Sequence, residues 1–164
     1  MTGTRFRSYD GVAPPLVAHS AHHLGEETMA SAIDRKMSAF NDIALLVGRI
    51  LIGVLFLIAA YNKLKGLGGT TGYFTKLGIP GPSVMAPLVA TCELAMGVLV
   101  LVGFKTRFAA LAIFVFVIIA AAIAHTNFGD GNQLNHFTKN LAIAGGALAL
   151  FVAGAGAYSV DARK

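Results

Sequence analysis

Two ionisable side chains stand inside stretches that are otherwise apolar. Arg49 is the single charge in residues 43–60, IALLVGRILIGVLFLIAA, and Glu93 sits near the middle of a second apolar run, about 83–103. An ionisable group in hydrocarbon costs at least about 2.5 kcal/mol unless a partner offsets it. If the two runs are adjacent antiparallel helices with their ends level, Arg49 lies roughly 10 Å and Glu93 roughly 15 Å from the same face. That difference is within the reach of a guanidinium, so Arg49 and Glu93 are expected to pair as an intramembrane polar centre. Such a centre could bind a ligand headgroup or relay protons; the alternative is a structural clamp that fixes helix register.

A second constellation is Lys63, His125, Lys139 and Asn140, all at the opposite ends of the apolar runs. Cationic and amide donors converging there could hold an anion or a quinone carbonyl, or could anchor the helices at headgroup level. His125 and His136 are not at a metal-ligand spacing, and no metal site is expected. Cys92 is the one cysteine, so neither a disulfide nor a CxxC site is available within the chain, and it reads as a small packing residue. His19, His22 and His23 cluster in a polar segment and read as solvated rather than as metal ligands.

The elements that must position these groups are membrane helices. Only 13% of the 164 residues are charged and 55% are hydrophobic, whereas soluble domains average about 25% charged. Eighteen residues of helix at 1.5 Å each cover about 27 Å, close to the roughly 30 Å of a bilayer's hydrocarbon core. Four spans are expected, at about 43–60, 83–103, 108–124 and 141–157, in an all-α integral membrane four-helix bundle of residues 41–160. The net charge of +5 is spread among the spans rather than clustered, so nucleic acid is not an expected partner.

Residues 1–40 lack apolar periodicity and are expected to form a mostly flexible tail. No signal-peptide-like run precedes the first span, which must then direct insertion itself; Met37 opens a natural-looking start, leaving the tail as an upstream extension or an addition. Tyr61, Lys63 and Lys65 mark the exit of the first span. GLGGTTG at 66–72 reads as a flexible connection, and 73–77 as a short interfacial helix stopped by GIPGP. The turn 103–107 forces the second and third spans into an antiparallel hairpin, and the polar stretch 126–138, with the turn signal Asp130-Gly131, reads as the loop between the third and fourth spans. Gly145, Ala149, Ala153 and Ala157 recur every four residues, a stripe expected to pack inside the bundle. The final YSVDARK is expected to leave the membrane. Eight of the 13 basic residues fall on the side of the termini, four on the other side, and Arg49 between them. By the positive-inside rule both termini are then cytoplasmic. Glu93-Leu94-Ala95 and Asn140-Leu141-Ala142 form a weak internal echo consistent with a duplicated hairpin.

Taken together, Gly48-Arg49-Ile50-Leu51-Ile52-Gly53 with Phe56, Lys63-Leu64, the Tyr73-Phe74 to Pro80 loop, Glu93-Leu94 with Gly97, Thr106-Arg107, Lys139-Asn140-Leu141 with Gly145-Gly146, and Tyr158-Ser159 resemble the DoxX family over about residues 40–161. The resemblance implies a multi-pass protein of the bacterial inner membrane, in a group described as candidate oxidoreductases. Relatives include the small membrane subunit of a thiosulfate:quinone oxidoreductase and a membrane partner of soluble redox enzymes. It therefore implies a membrane subunit of a quinone-linked redox or oxidative-stress system, with the bilayer, a redox protein and a second copy as partners to consider and quinone as the cofactor to test. A non-enzymatic scaffold with a structural Arg49–Glu93 pair is the alternative. Which residues would be catalytic is left open.

Overall fold

The computed structural model describes the backbone of residues 16–163 and the side chains of residues 31, 34 and 36–163. The described residues form five α-helices joined by short turns: α1 (Leu16–Lys65), α2 (Leu67–Lys76), α3 (Pro82–Val102), α4 (Thr106–Ala124) and α5 (Gly131–Ala153), followed by a 3-10 turn at Asp161–Arg163. Four stretches are long and apolar enough to cross a membrane: Lys36–Lys65, Pro82–Val102, Thr106–Ala124 and Gly131–Ala153. The chain separates into residues 1–39 and a compact unit of 40–164. Residues 16–40, expected in the tail, are helical as the first part of α1. The His19, His22 and His23 cluster lies outside the described side chains.

Within the compact unit, helix identity follows from the apolar runs and their caps. Pro82 opens α3, where its missing N–H has no intrahelical partner to lose. Gly103, at φ +71°, ends it in the left-handed conformation that glycine adopts at least cost. Asp130 caps α5 by accepting from Asn132 N–H at 2.9 Å. This cap lies in the stretch expected to be a loop, so α5 begins about ten residues before the expected span and ends at Ala153 rather than 157. The glycine-rich 67–72 segment is likewise helical, as most of α2. A glycine lowers helix propensity by only about 1 kcal/mol, which tertiary packing of α2 on α3 can override.

The core is thin, as in a bundle whose outer face meets lipid. Phe56, Met96, Val100, Ile113, Val117 and Leu150 form its centre, and the Phe56 and Phe116 rings meet edge to face with centroids 6.1 Å apart. Leu51, Ile58, Leu88, Val98, Ile119 and Val152 are exposed on the outside and are the surface a bilayer would cover. On α5 the inward face is Ala144, Ala147 and Leu150. The stripe of Gly145, Ala149 and Ala153 is exposed instead, because four-residue spacing alone does not state which side of a helix faces the core. Cys92 is also exposed, not a packing residue.

α1 and α3 cross at two glycines. A β-carbon on Gly53 would come within 2.9 Å of Leu101 Cβ and 3.0 Å of the Gly97 carbonyl oxygen, so the backbones approach as closely as side-chain-free positions allow. Gly48, on the same helix, has open space around it. Gly53→Ala is expected to destabilise the bundle by about 1–3 kcal/mol through overpacking. Gly48→Ala should be neutral or slightly stabilising through helix propensity. Unfolding of both variants in detergent micelles checks the contrast.

Candidate functional site

The crossing sets the register of α1 against α3, and that register decides which charges meet. Gly53 faces Gly97 and Leu101, and Arg49 faces Gly103; toward the other end of α1, Lys63 faces Glu93. The helices are therefore offset by about seven residues, roughly 10 Å, from the level-ended arrangement that would have brought Arg49 within reach of Glu93. The expected Arg49–Glu93 pair is not formed. Because α1 ends opposite the middle of α3, the ten residues of α2 and the turn after it make up the difference.

Glu93 is 5% exposed and both its oxygens accept from Lys63 Nζ, at 2.9 and 2.8 Å. Lys63, placed at headgroup level by its sequence position, thus reaches inward along the α1 surface. Two opposite charges within 3 Å inside apolar walls offset each other's desolvation, and each would be costly alone.

This pair borders a partly open cavity of about 750 Å³ lined by α1, α2, α3, α4 and α5. Its walls are mainly apolar, with Phe74, Met85, Phe116 and Ile143 among them, and its polar lining includes Asn62, Lys63, Glu93, His125, Lys139 and Asn140. All four outer-rim residues of the sequence reading therefore border one space, and Glu93 joins them in place of Arg49. Glu93 and Asn140, the first residues of the two echoed triplets, both line it. At the rim, His125 Nδ1 is 2.8 Å from Gln133 Oε1, and its ring stacks on His136 at 5.0 Å. Lys139 Nζ approaches His136 Nδ1 at 3.2 Å. The first turns of α5 supply Gln133 and His136, and reading 126–138 as a loop gave no reason to bring either to this rim. Tyr73 and Phe74 were legible as a loop motif; that Phe74 is buried as a cavity wall follows only from α2 packing on α3.

A cavity of this size with a few convergent polar groups has the form of a small-molecule site. Lys63 and Asn140 can donate to carbonyl or anionic oxygens, His125 can donate or accept, and Glu93 can accept a proton. The comparison with known proteins assigns the scaffold. The family model described as DoxX matches residues 44–126, half of the chain. The chain belongs to the DoxX family. Two DoxX relatives from Escherichia coli (strain K12) align over most of their length. Inner membrane protein YqjF is 42% identical over 76% of this chain and 95% of its own. Inner membrane protein YphA is 33% identical over 76% of this chain and 93% of its own. CatD of Bacillus subtilis (strain 168), named as a candidate oxidoreductase, is 37% identical over 43% of this chain and 52% of its own. No solved structure gives a significant match. With these relatives and four spans, this DoxX chain is a multi-pass protein of the bacterial inner membrane.

Arg49, the other half of the expected pair, has a different role in this DoxX bundle. It is fully buried, its Nη2 donates to the Tyr158 carbonyl oxygen, and its guanidinium lies against Gly103. The Asp161 carboxylate lies within electrostatic range. Asp161 also accepts from Lys105 N–H and Thr106 N–H, both at 2.8 Å, and from Thr106 Oγ1 at 2.9 Å. A residue 55 positions away thereby satisfies the first donors of α4, which Lys105, having no acceptor, cannot do. Asp42 Oδ1 accepts from Ala157 N–H at 2.8 Å. Val160 and Asp161 N–H groups bond to the carbonyls of Val102 and Gly103. The C-terminal segment packs across the Asp42–Arg49 stretch of α1, the end of α3 and the start of α4, with Arg49 as its anchor.

Proposed function

We propose that the chain is the membrane subunit of a quinone-linked redox system, holding a quinone in the 750 Å³ cavity while a partner protein delivers the electrons. The observation that carries this reading is an apolar, intramembrane cavity with one ion pair in its wall and His125, Lys139 and Asn140 at its rim. A quinone is an apolar ring and tail with two carbonyl acceptors, which matches apolar walls and convergent donors. Reduction to the quinol takes up two electrons and two protons. Lys63 and Glu93 are placed to donate to a carbonyl and to exchange a proton, and the His125, His136 and Lys139 group is placed to exchange protons with water outside the cavity. The CatD resemblance supports a redox role, and the resemblance to membrane partners of redox enzymes supports anchoring of a second protein.

The test is binding. Lipid extracts of the protein purified in mild detergent should contain a near-stoichiometric quinone by mass spectrometry, and a short-tailed quinone should raise the melting temperature in proportion to its occupancy. A Lys63→Leu, Glu93→Leu double variant that still folds should bind that quinone at least about tenfold more weakly, the loss of roughly one charge-assisted hydrogen bond. If no quinone copurifies, none shifts the melting temperature, and the double variant behaves as the native chain, the pair is a register clamp and the protein a scaffold.

A further inference from the structure

At the opposite ends of α4 and α5 from the Lys63–Glu93 cavity, a second, open concavity of about 460 Å³ is bordered by Lys105, Arg107, Phe108, Ala153, Gly154 and Ser159 among others. We infer that this concavity binds the phosphate of an anionic membrane lipid, with Lys105 and Arg107 as its cationic contacts.

Arg107 is exposed and borders the concavity. Its guanidinium lies over the bare backbone of Gly154, where an added β-carbon would sit 3.4 Å from Nε and 3.5 Å from Nη2. Lys105, the one left-handed non-glycine among the described residues at φ 46°, is the exposed N-cap of α4 beside Arg107. Asp161, the carboxylate in the same concavity, already accepts three hydrogen bonds from Lys105 and Thr106. No ion pair to either cation occurs among the described residues. The wall toward the bilayer is apolar: Ala153 and Ala155 border the space, and Phe108 is 76% exposed. Paired cations at a helix end, beside an aromatic ring and small residues that leave room for an acyl chain, suit a lipid headgroup better than a soluble anion.

The experiment uses the full chain, delipidated in mild detergent, with phosphatidylglycerol, phosphatidylcholine or inorganic phosphate added, and lipid retention read by native mass spectrometry. Phosphatidylglycerol should be retained at least tenfold more strongly than phosphatidylcholine. Lys105→Gln with Arg107→Gln should abolish that preference, and Lys76→Gln, outside the concavity, should not. Equal retention of the two lipids, displacement of phosphatidylglycerol by millimolar phosphate, or an unchanged preference in the double variant would each overturn the assignment. If the double variant is not monodisperse, the comparison of lipids on the native chain decides it. Quinone binding plays no part in either outcome.

Discussion

Lys63→Leu is expected to cost about 3 kcal/mol or more of stability, because it leaves the Glu93 carboxylate buried with no counter-ion. Glu93 is 5% exposed and Lys63 Nζ binds both of its oxygens, so water is poorly placed to replace the lost cation. Glu93→Leu strands the ammonium in the same way, but less severely, since the Lys63 side chain is 27% exposed and can swing toward the cavity mouth. The double leucine variant removes both charges, and its stability should return to within about 1 kcal/mol of the native chain, as replacement of a buried ion pair by apolar residues commonly does. Reversible unfolding in detergent micelles, arranged as a double-mutant cycle, measures all four states. A stable double variant is also the protein in which loss of quinone binding would speak for function rather than for misfolding. Additive single losses would show that the two groups do not act as a pair.

Gly103→Ala should be the most damaging single-methyl change in the chain, at about 2–4 kcal/mol. Two causes add. The residue holds φ +71°, where a β-carbon costs roughly 1–2 kcal/mol, and that carbon would occupy the space of the Arg49 guanidinium and press on Ser159 Cβ. Arg49, fully buried, has nowhere solvated to go, so it must release the Tyr158 carbonyl and push the C-terminal segment outward. The expected signature is local: faster amide hydrogen exchange and protease cleavage at residues 154–163, before global unfolding. Asp161→Ala should open the same segment from the other side, since it also removes three hydrogen bonds from the start of α4. If 154–163 stayed protected in Gly103→Ala, Arg49 would not be the anchor of the segment.

The two intramembrane charges show where reading by sequence stops. That each needed a partner was legible, because the cost of an isolated charge in hydrocarbon is a local property of its apolar run. Which partner it takes is not local. Depth counted along each helix assumes level helix ends, and the α1–α3 offset is set by the contact of Gly53 with Gly97 and Leu101. Lys63 has four side-chain torsions and looked like a rim anchor; only the opposed position of Glu93 turns it inward.

The amino-acid sequence by itself determined four membrane helices, their order, the hairpin at 103–107, and the family, since these rest on the length of apolar runs and on local breaks. It also named Lys63, His125, Lys139 and Asn140 as a set, because residues at the same ends of spans must lie at similar levels. The tertiary structure alone decided that α2 roofs a cavity, that Glu93 rather than Arg49 belongs to it, that Ala144, Ala147 and Leu150 rather than the Gly145 stripe face inward, and that the C-terminus folds back onto Arg49. Each of these depends on the rotation or offset of one helix against another, and those are fixed by contacts between residues distant in sequence, which no periodicity within a single helix contains.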